Sequence, residues 1–328
     1  MKIDGPGTKV TSDWDAYWQN TRLNTTGRQE GGPRDAELDR FWTEFFAEQI
    51  TSQPVRLLDI ACGLGPVLRH ALAKTGSQES TTNSLVIGLD ASTAALVETR
   101  SRSPGSVYVA ASGARLPFTD AQFDLVTSQF GIEYAGTEAF QEMCRVLVPG
   151  GTFSAILHLH EGRIYRESRI NLDAANAFLD SGLLSGLAGI FNAAIALHQS
   201  GTDTRKFRAA DQSFAASVMS SEAVIRQWGK GAADGLLFSV YNDVGHIYSR
   251  FKHYEPREVL EWITLVTGEL QSYAGRMASM LTAALDQSAL NNLLTRLSEN
   301  QLHVISQGVI RLGSPPVDSA WTLVAKKQ

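Results

Sequence analysis

The feature that most constrains this chain begins at Val55, where short apolar runs alternate with helical stretches. Val55 to Ile60 carries Asp59 near its end, and Leu85 to Leu89 runs into Asp90. Ser106 to Ala110, Phe123 to Thr127 and Thr152 to His158 are further runs of strand length. Helical patterning lies between them, for example over Pro66 to Lys74 and Thr137 to Leu147. Such alternation is the signature of βαβ units, which build a parallel sheet with helices on both faces. The polar stretch Thr75 to Ser84 reads as a surface loop that lengthens the first crossover. Near the end, Val309 to Leu312 and Ala320 to Ala325 flank a Gly-Ser-Pro-Pro turn, which predicts a terminal antiparallel hairpin. The expected fold class is therefore α/β and doubly wound, with seven strands.

Two segments fall outside that alternation. Before it, Trp14, Tyr17 and Trp18 form an aromatic cluster, and Leu38, Phe41, Trp42, Phe45 and Phe46 recur at helical spacing within Asp35 to Ile50. After His160 the strand pattern stops and helical patterning runs to about Asn300, as expected of a mainly α-helical cap inserted into the core. Asn171 to Ser200 contains no Lys or Arg, so its helices must be buried on more than one face. Pro256, followed by Arg257, Glu258, Val259 and Leu260, reads as a helix start. The division expected is an N-terminal helical segment over 1–54, a core over 55–160 and 301–328, and a cap over 161–300 that rejoins the core near 255.

The first strand runs into Asp59-Ile60-Ala61-Cys62-Gly63-Leu64-Gly65-Pro66. Small residues at 61, 63 and 65 let the backbone turn tightly from strand to helix and let a ligand approach it closely. Leu68 stands where a dinucleotide fingerprint would carry its third glycine, which argues against NAD. Asp90, at the end of the second strand, is placed to accept hydrogen bonds from ribose hydroxyls. Further along come Arg115-Leu116-Pro117-Phe118-Thr119-Asp120, Phe123-Asp124-Leu125-Val126 and Arg145-Val146-Leu147-Val148-Pro149-Gly150-Gly151. In this order the segments resemble the consecutive motifs of class I S-adenosylmethionine-dependent methyltransferases, especially the quinone-biosynthesis and small-molecule branch. The resemblance covers roughly Val55 to Ile156 plus the terminal hairpin, and it implies a Rossmann-like core.

The same resemblance implies S-adenosyl-L-methionine as cofactor and assigns roles by position. Ala61, Gly63 and Gly65 would border its methionine part, with Asp59 beneath the amino group and Gln129 facing that moiety. Asp90 would hold the ribose, Ala91 would lie along the adenine, and Ser112 and Gly113 would meet its edge. Many relatives carry Asp where Ser112 stands, so this contact would be weaker here. The N-terminal aromatic cluster, including Tyr17, would fold over the cofactor.

For catalysis, His158 and His160 end the fifth strand and at period two share a face. A histidine at a strand carboxyl end can take the proton of a hydroxyl acceptor, while packing of polar residues at a strand exit is the plainer reading. Glu133 and Tyr134 follow the fourth strand and would line the acceptor pocket. No metal site is expected, because the two histidines have no third ligand assigned.

Function classes are narrowed by charge and motif. The 29 Lys and Arg against 34 Asp and Glu leave a net charge of −5, with no basic field to attract nucleic acid. Ser128-Gln129-Phe130-Gly131 lacks the signature of enzymes that methylate amide or base amino groups. The two cysteines, Cys62 and Cys144, fall in different elements, consistent with a reducing cytoplasm. The most apolar stretch, Gly182 to Leu197, falls short of the ~20 residues of a membrane span. The reading is a soluble enzyme that methylates a partly apolar small molecule, at oxygen. The rivals are a non-catalytic S-adenosylmethionine-binding regulatory or complex-forming protein and, third, a protein or RNA methyltransferase. The low charge of the cap fits an apolar acceptor pocket or a homodimer interface, and the sequence leaves that choice open.

Overall fold

The computed structural model describes residues 14, 36–51, 53–76, 83–200 and 204–328. These form two compact units. The first comprises the described residues up to Arg166 together with Ser279–Gln328, and the second comprises Glu167–Ala278.

The first unit is a seven-stranded sheet. In chain order its strands are β1 (Arg56–Ile60), β2 (Leu85–Asp90), β3 (Val107–Ala110), β4 (Phe123–Gln129), β5 (Leu147–His158), β6 (Leu302–Leu312) and β7 (Val317–Lys327), arranged in the order β3-β2-β1-β4-β5-β7-β6. The strands from β1 to β5 pair in parallel, while β7 pairs antiparallel with both β5 and β6. The order reverses at β1, so the space beyond the carboxyl ends of β1 and β4 is a topological switch point, where open α/β sheets bind ligands.

Burial explains the strand pattern. The four residues from Leu57 to Ile60 are buried, as in a central parallel strand covered on both faces. One cover is helix α1 (Ala36–Gln49), whose Leu38, Trp42, Phe45 and Phe46 are buried. Helix α2 (Pro66–Thr75) starts with Pro66 just after Gly65, which is left-handed at φ 69°. Helix α3 (Thr93–Arg102) is capped by Ser92, whose Oγ accepts from the Ala95 N–H at 3.2 Å. Helix α4 (Gly136–Val146) leads directly into β5, which begins at Leu147 rather than Thr152. The Pro149-Gly150-Gly151 stretch makes the irregularity between the Phe123–Leu147 and Leu125–Thr152 pairs.

The second unit is helical. It holds most of α5 (Arg163–Asp180), then α6 (Leu183–Ser200), α7 (Thr204–Trp228), α8 (Leu236–Ser249) and most of α9 (Pro256–Ala283). Its core includes Phe178, Leu187, Ile190, Phe191, Val240, Val244 and Leu270. The stretch 163–197 is long and apolar enough to cross a membrane by length and composition. It is broken at Gly182, which is left-handed at φ 74°, and Leu183, Leu187, Ile190 and Phe191 beyond the break are buried within this unit.

Two boundaries differ from the sequence reading. The chain re-enters the first unit at Ser279, not near 255 or at 301, because α9 is one uninterrupted 28-residue helix. No Pro interrupts it between Arg257 and Ala283. Helix α10 (Gln287–Glu299), capped by Asp286, then buries Leu290, Leu293 and Leu297 in the sheet core. Strand β6 begins at Leu302 and not at Val309. Its residues 303–307 are exposed on both faces, so no hydrophobic alternation marks them, and pairing with β7 extends the strand.

Candidate functional site

The carboxyl ends of β1, β2 and β4 converge on the loop from Ala61 to Gly65. Ala61, Gly63 and Gly65 take positive φ of 55°, 51° and 69°. At Gly65 a Cβ would meet the Thr99 methyl at 2.7 Å, so both the conformation and the space demand glycine. Thr99 also bonds the loop, its hydroxyl lying 2.5 Å from the Gly63 carbonyl oxygen and 2.8 Å from that of Ala95. On the other side, a Cβ at Gly131 would come within 2.5 Å of the Ala61 Cβ. The turn after β4 therefore packs directly on the glycine loop.

Asp90 ties that loop to β2. Its Oδ2 accepts from the Gly63 N–H at 2.8 Å and its Oδ1 from the Ser92 N–H at 2.8 Å. These two bonds fix the carboxylate at the mouth of the glycine loop. Ala91, the next residue, is exposed.

Asp59 is the electrostatic anomaly. Its side chain is 1% exposed, Oδ1 accepts from the Thr127 hydroxyl at 2.9 Å, and Oδ2 has no hydrogen-bond partner among the described residues. Burial pushes its pKa up to about 8 against the opposing Thr127 bond, and the charge of Asp90 adds to the rise. A buried carboxyl with an unmet oxygen is the partner an ammonium group would satisfy. The residues present fit S-adenosylmethionine on three counts: a tight glycine-bearing loop, an acid where the ribose is expected and a buried, orphaned acid where the amino group is expected.

The remaining cofactor candidates divide. Gln129 is half-buried at the end of β4, and its Oε1 accepts from the Trp42 indole N–H at 2.6 Å, which leaves its amide N–H groups for a ligand. Gly113 lies against the end of β1, where a Cβ would meet Ile60 Cγ2 at 3.2 Å. Ser112 is exposed, and its Oγ accepts from the Ala114 N–H at 3.2 Å, so the hydroxyl helps to form its own turn. Tyr17 and Trp18 lie outside the described residues. Trp14 packs on Leu64, Ala94 and Ala95 and meets the Tyr134 ring edge-on at 5.8 Å.

The catalytic candidates are brought together in part. His158 is 3% exposed, and its Nδ1 lies 2.7 Å from Glu133 Oε1. The same oxygen accepts from the His158 backbone N–H at 3.1 Å. Glu133 is buried, and its Oε2 has no hydrogen-bond partner among the described residues. Phe130 and Tyr134 wall the imidazole, with ring centroids 4.6 and 5.5 Å away. His160 is not part of this cluster. The strand ends at His158, Leu159 bridges to Leu285, and the exposed His160 lies against the Tyr165 ring at 4.5 Å. Among the described residues no three metal-ligating side chains converge.

Several contributors escaped the sequence reading: Thr99, Thr127, Phe130, Gly131 and Trp42. Thr127 lies directly opposite Asp59 in the β1–β4 register, a pairing between strands with no local trace in the sequence. Comparison with known proteins addresses the same region. Residues 58–155 match a family described as a methyltransferase domain.

Residues 58–155 are a class I S-adenosylmethionine-dependent methyltransferase domain.

The methyltransferase domain is similar to the demethylmenaquinone methyltransferase of Beutenbergia cavernae, 34% identical over 117 residues, covering 35% of this chain and 45% of that protein. It is also similar to the ubiquinone/menaquinone biosynthesis C-methyltransferase of Geotalea daltonii, at 32% over 123 residues, with 35% and 50% covered. The malonyl-[acyl-carrier protein] O-methyltransferase of Enterobacter lignolyticus is 33% identical over 146 residues, with 42% and 55% covered. The chain thus spans about half the length of the curated relatives it matches.

Proposed function

We propose that the protein transfers a methyl group from S-adenosylmethionine to the oxygen of a partly apolar small molecule, with His158 as the base. The observation that carries the chemistry is the buried 2.7 Å pair between His158 Nδ1 and Glu133. An ionised Glu133 accepts from Nδ1–H, which leaves the lone pair on Nε2. When bound, S-adenosylmethionine supplies an electrophilic methyl group on a sulfonium. His158 Nε2 takes the proton of the acceptor hydroxyl as its oxygen bonds to carbon, and Glu133 offsets the imidazolium charge that results. Bound S-adenosylmethionine would keep the electron pair of the broken carbon–sulfur bond on its sulfur, so charge and atoms balance. Asp59, Asp90 and Gln129 bind and orient the cofactor, while Phe130, Tyr134 and Trp14 exclude water from its surroundings.

Similarity to small-molecule methyltransferases supports the class of acceptor, since relatives named for quinone and acyl-carrier-protein substrates share this domain. Formation of S-adenosylhomocysteine with pools of phenols, hydroxyquinones and carboxylic acids tests the reading. Turnover with a hydroxyl-bearing acceptor is expected. Tight cofactor binding without turnover in any pool would instead favour a regulatory S-adenosylmethionine-binding protein.

A further inference from the structure

The helical unit contains a cavity of about 580 Å3 between α7 and α8, with Leu183 of α6 at its wall. Pockets of roughly 300–1,000 Å3 take small organic ligands. Two helical stripes face each other across it. From α7 come Asp211, Phe214, Ala215 and Val218, spaced three, four and seven residues from the first. From α8 come Tyr241, Val244, Gly245 and Tyr248 at the same spacing.

Two hydrogen bonds cross the gap. The Tyr248 hydroxyl donates to Asp211 Oδ1 at 2.6 Å, and the Tyr241 hydroxyl donates to Glu222 Oε1 at 2.6 Å. The pairs 211–248 and 222–241 show the helices antiparallel, with a tyrosine–carboxylate bond towards each end. Between them stand Ala215 and Gly245, and a Cβ on Gly245 would meet open space. The helices are thus propped apart by polar pairs while the middle is left unfilled.

The lining has a definite chemistry. Phe214 and Tyr248 stand 4.9 Å apart as tilted rings, and Tyr241 supplies a third aromatic face. No Lys or Arg is among the lining residues, where the basic side chain is that of His246. Both phenols have their pKa raised, chiefly by the bonds to Asp211 and Glu222, so they remain hydrogen-bond donors, and Asp211 itself lines the groove. Aromatic faces joined to carboxylates attract cations, and ammonium groups in particular.

We propose that the groove between α7 and α8 is a second ligand site, which takes an organic cation: an ammonium group held by the aromatic faces and the Asp211 carboxylate, on an apolar body lying over Ala215 and Gly245. Such a site would let an amine-bearing metabolite bind the helical unit independently of the methyltransferase domain. It is assigned on its own geometry and stands apart from the methyl-transfer reading.

Calorimetric titration of the full-length protein with phenethylamine, and with 2-phenylethanol as its neutral counterpart, tests the proposal. Saturable binding of the amine, at least about tenfold tighter than the alcohol, is expected from the cation–aromatic attraction. Gly245→Leu should abolish it by filling the groove, and Leu is better tolerated than Gly within a helix. Should that variant fail to fold, Ala215→Leu on the facing helix fills the same space. Asp211→Asn should weaken the amine several-fold, while Asp90→Ala, in the cofactor loop, should leave amine binding unchanged. Equal binding of amine and alcohol, amine affinity unchanged by the filling variants, or no saturable binding of the amine would each overturn the assignment.

Discussion

Asp59→Asn separates the role of the buried acid in folding from its role in binding. In the unfolded chain its carboxyl ionises near the ordinary value of 3.8, whereas in the folded protein burial raises it to about 8. A carboxyl raised on folding contributes most below the lower value, and its contribution is lost as pH climbs to the upper one. At about 1.4 kcal/mol per pH unit, folding of the ligand-free protein is penalised by about 4 kcal/mol at pH 7. Asparagine has no such penalty, and its carbonyl can still accept from Thr127. Its amide places donors where Oδ2 has no partner, at a cost of about 1–3 kcal/mol. The variant should therefore be more stable than wild type by about 1–3 kcal/mol at pH 7 and less stable below about pH 5. Urea unfolding from pH 4.5 to 8 would reveal the crossing. S-adenosylmethionine should meanwhile bind the variant more weakly, because an amide cannot balance its ammonium group. A constant stability difference across that range, or unchanged cofactor affinity, would refute the reasoning.

Three further changes probe the rest of the site. Asp90→Ala should weaken cofactor binding by about 1–3 kcal/mol in calorimetry, and it should also lower the melting temperature because the Gly63 and Ser92 N–H groups lose their acceptor. Glu133→Gln should reduce turnover by about tenfold or more and alter the pH–rate profile, while S-adenosylhomocysteine binds as before; an unchanged profile would return His158 to a packing role. Gly131→Ala should displace the glycine loop, since its Cβ would stand 2.5 Å from that of Ala61, and the loss should register as cofactor affinity before acceptor KM.

How far the sequence could be read depended on whether burial left a local pattern. Strands β1, β2 and β4 are buried in the middle of a parallel sheet, so their apolar runs stood out and their carboxyl ends carried Asp59, Asp90 and Gln129 to one place. The first part of β6 is exposed on both faces and carries no such pattern. The return from the helical unit was misplaced for a related reason. A helix start at Pro256 is visible locally, but which unit a 28-residue helix packs against depends on residues far away in sequence. The histidines show the limit at the site itself. Period-two spacing puts His158 and His160 on one face only while the strand continues, and it stops at His158. The pairing of His158 with Glu133 joins residues 25 apart, one at the end of β5 and the other in the turn just past β4, a tertiary fact with no local trace.

The measurement that bears most directly on the central claim is calorimetric titration of the full-length protein with S-adenosylmethionine and S-adenosylhomocysteine, with NAD as control. The orphaned oxygen of Asp59, the Asp90-braced loop and Leu68 at the third fingerprint position predict saturable binding of the first two and none of NAD. Binding of NAD, or of none of the three, would contradict the account.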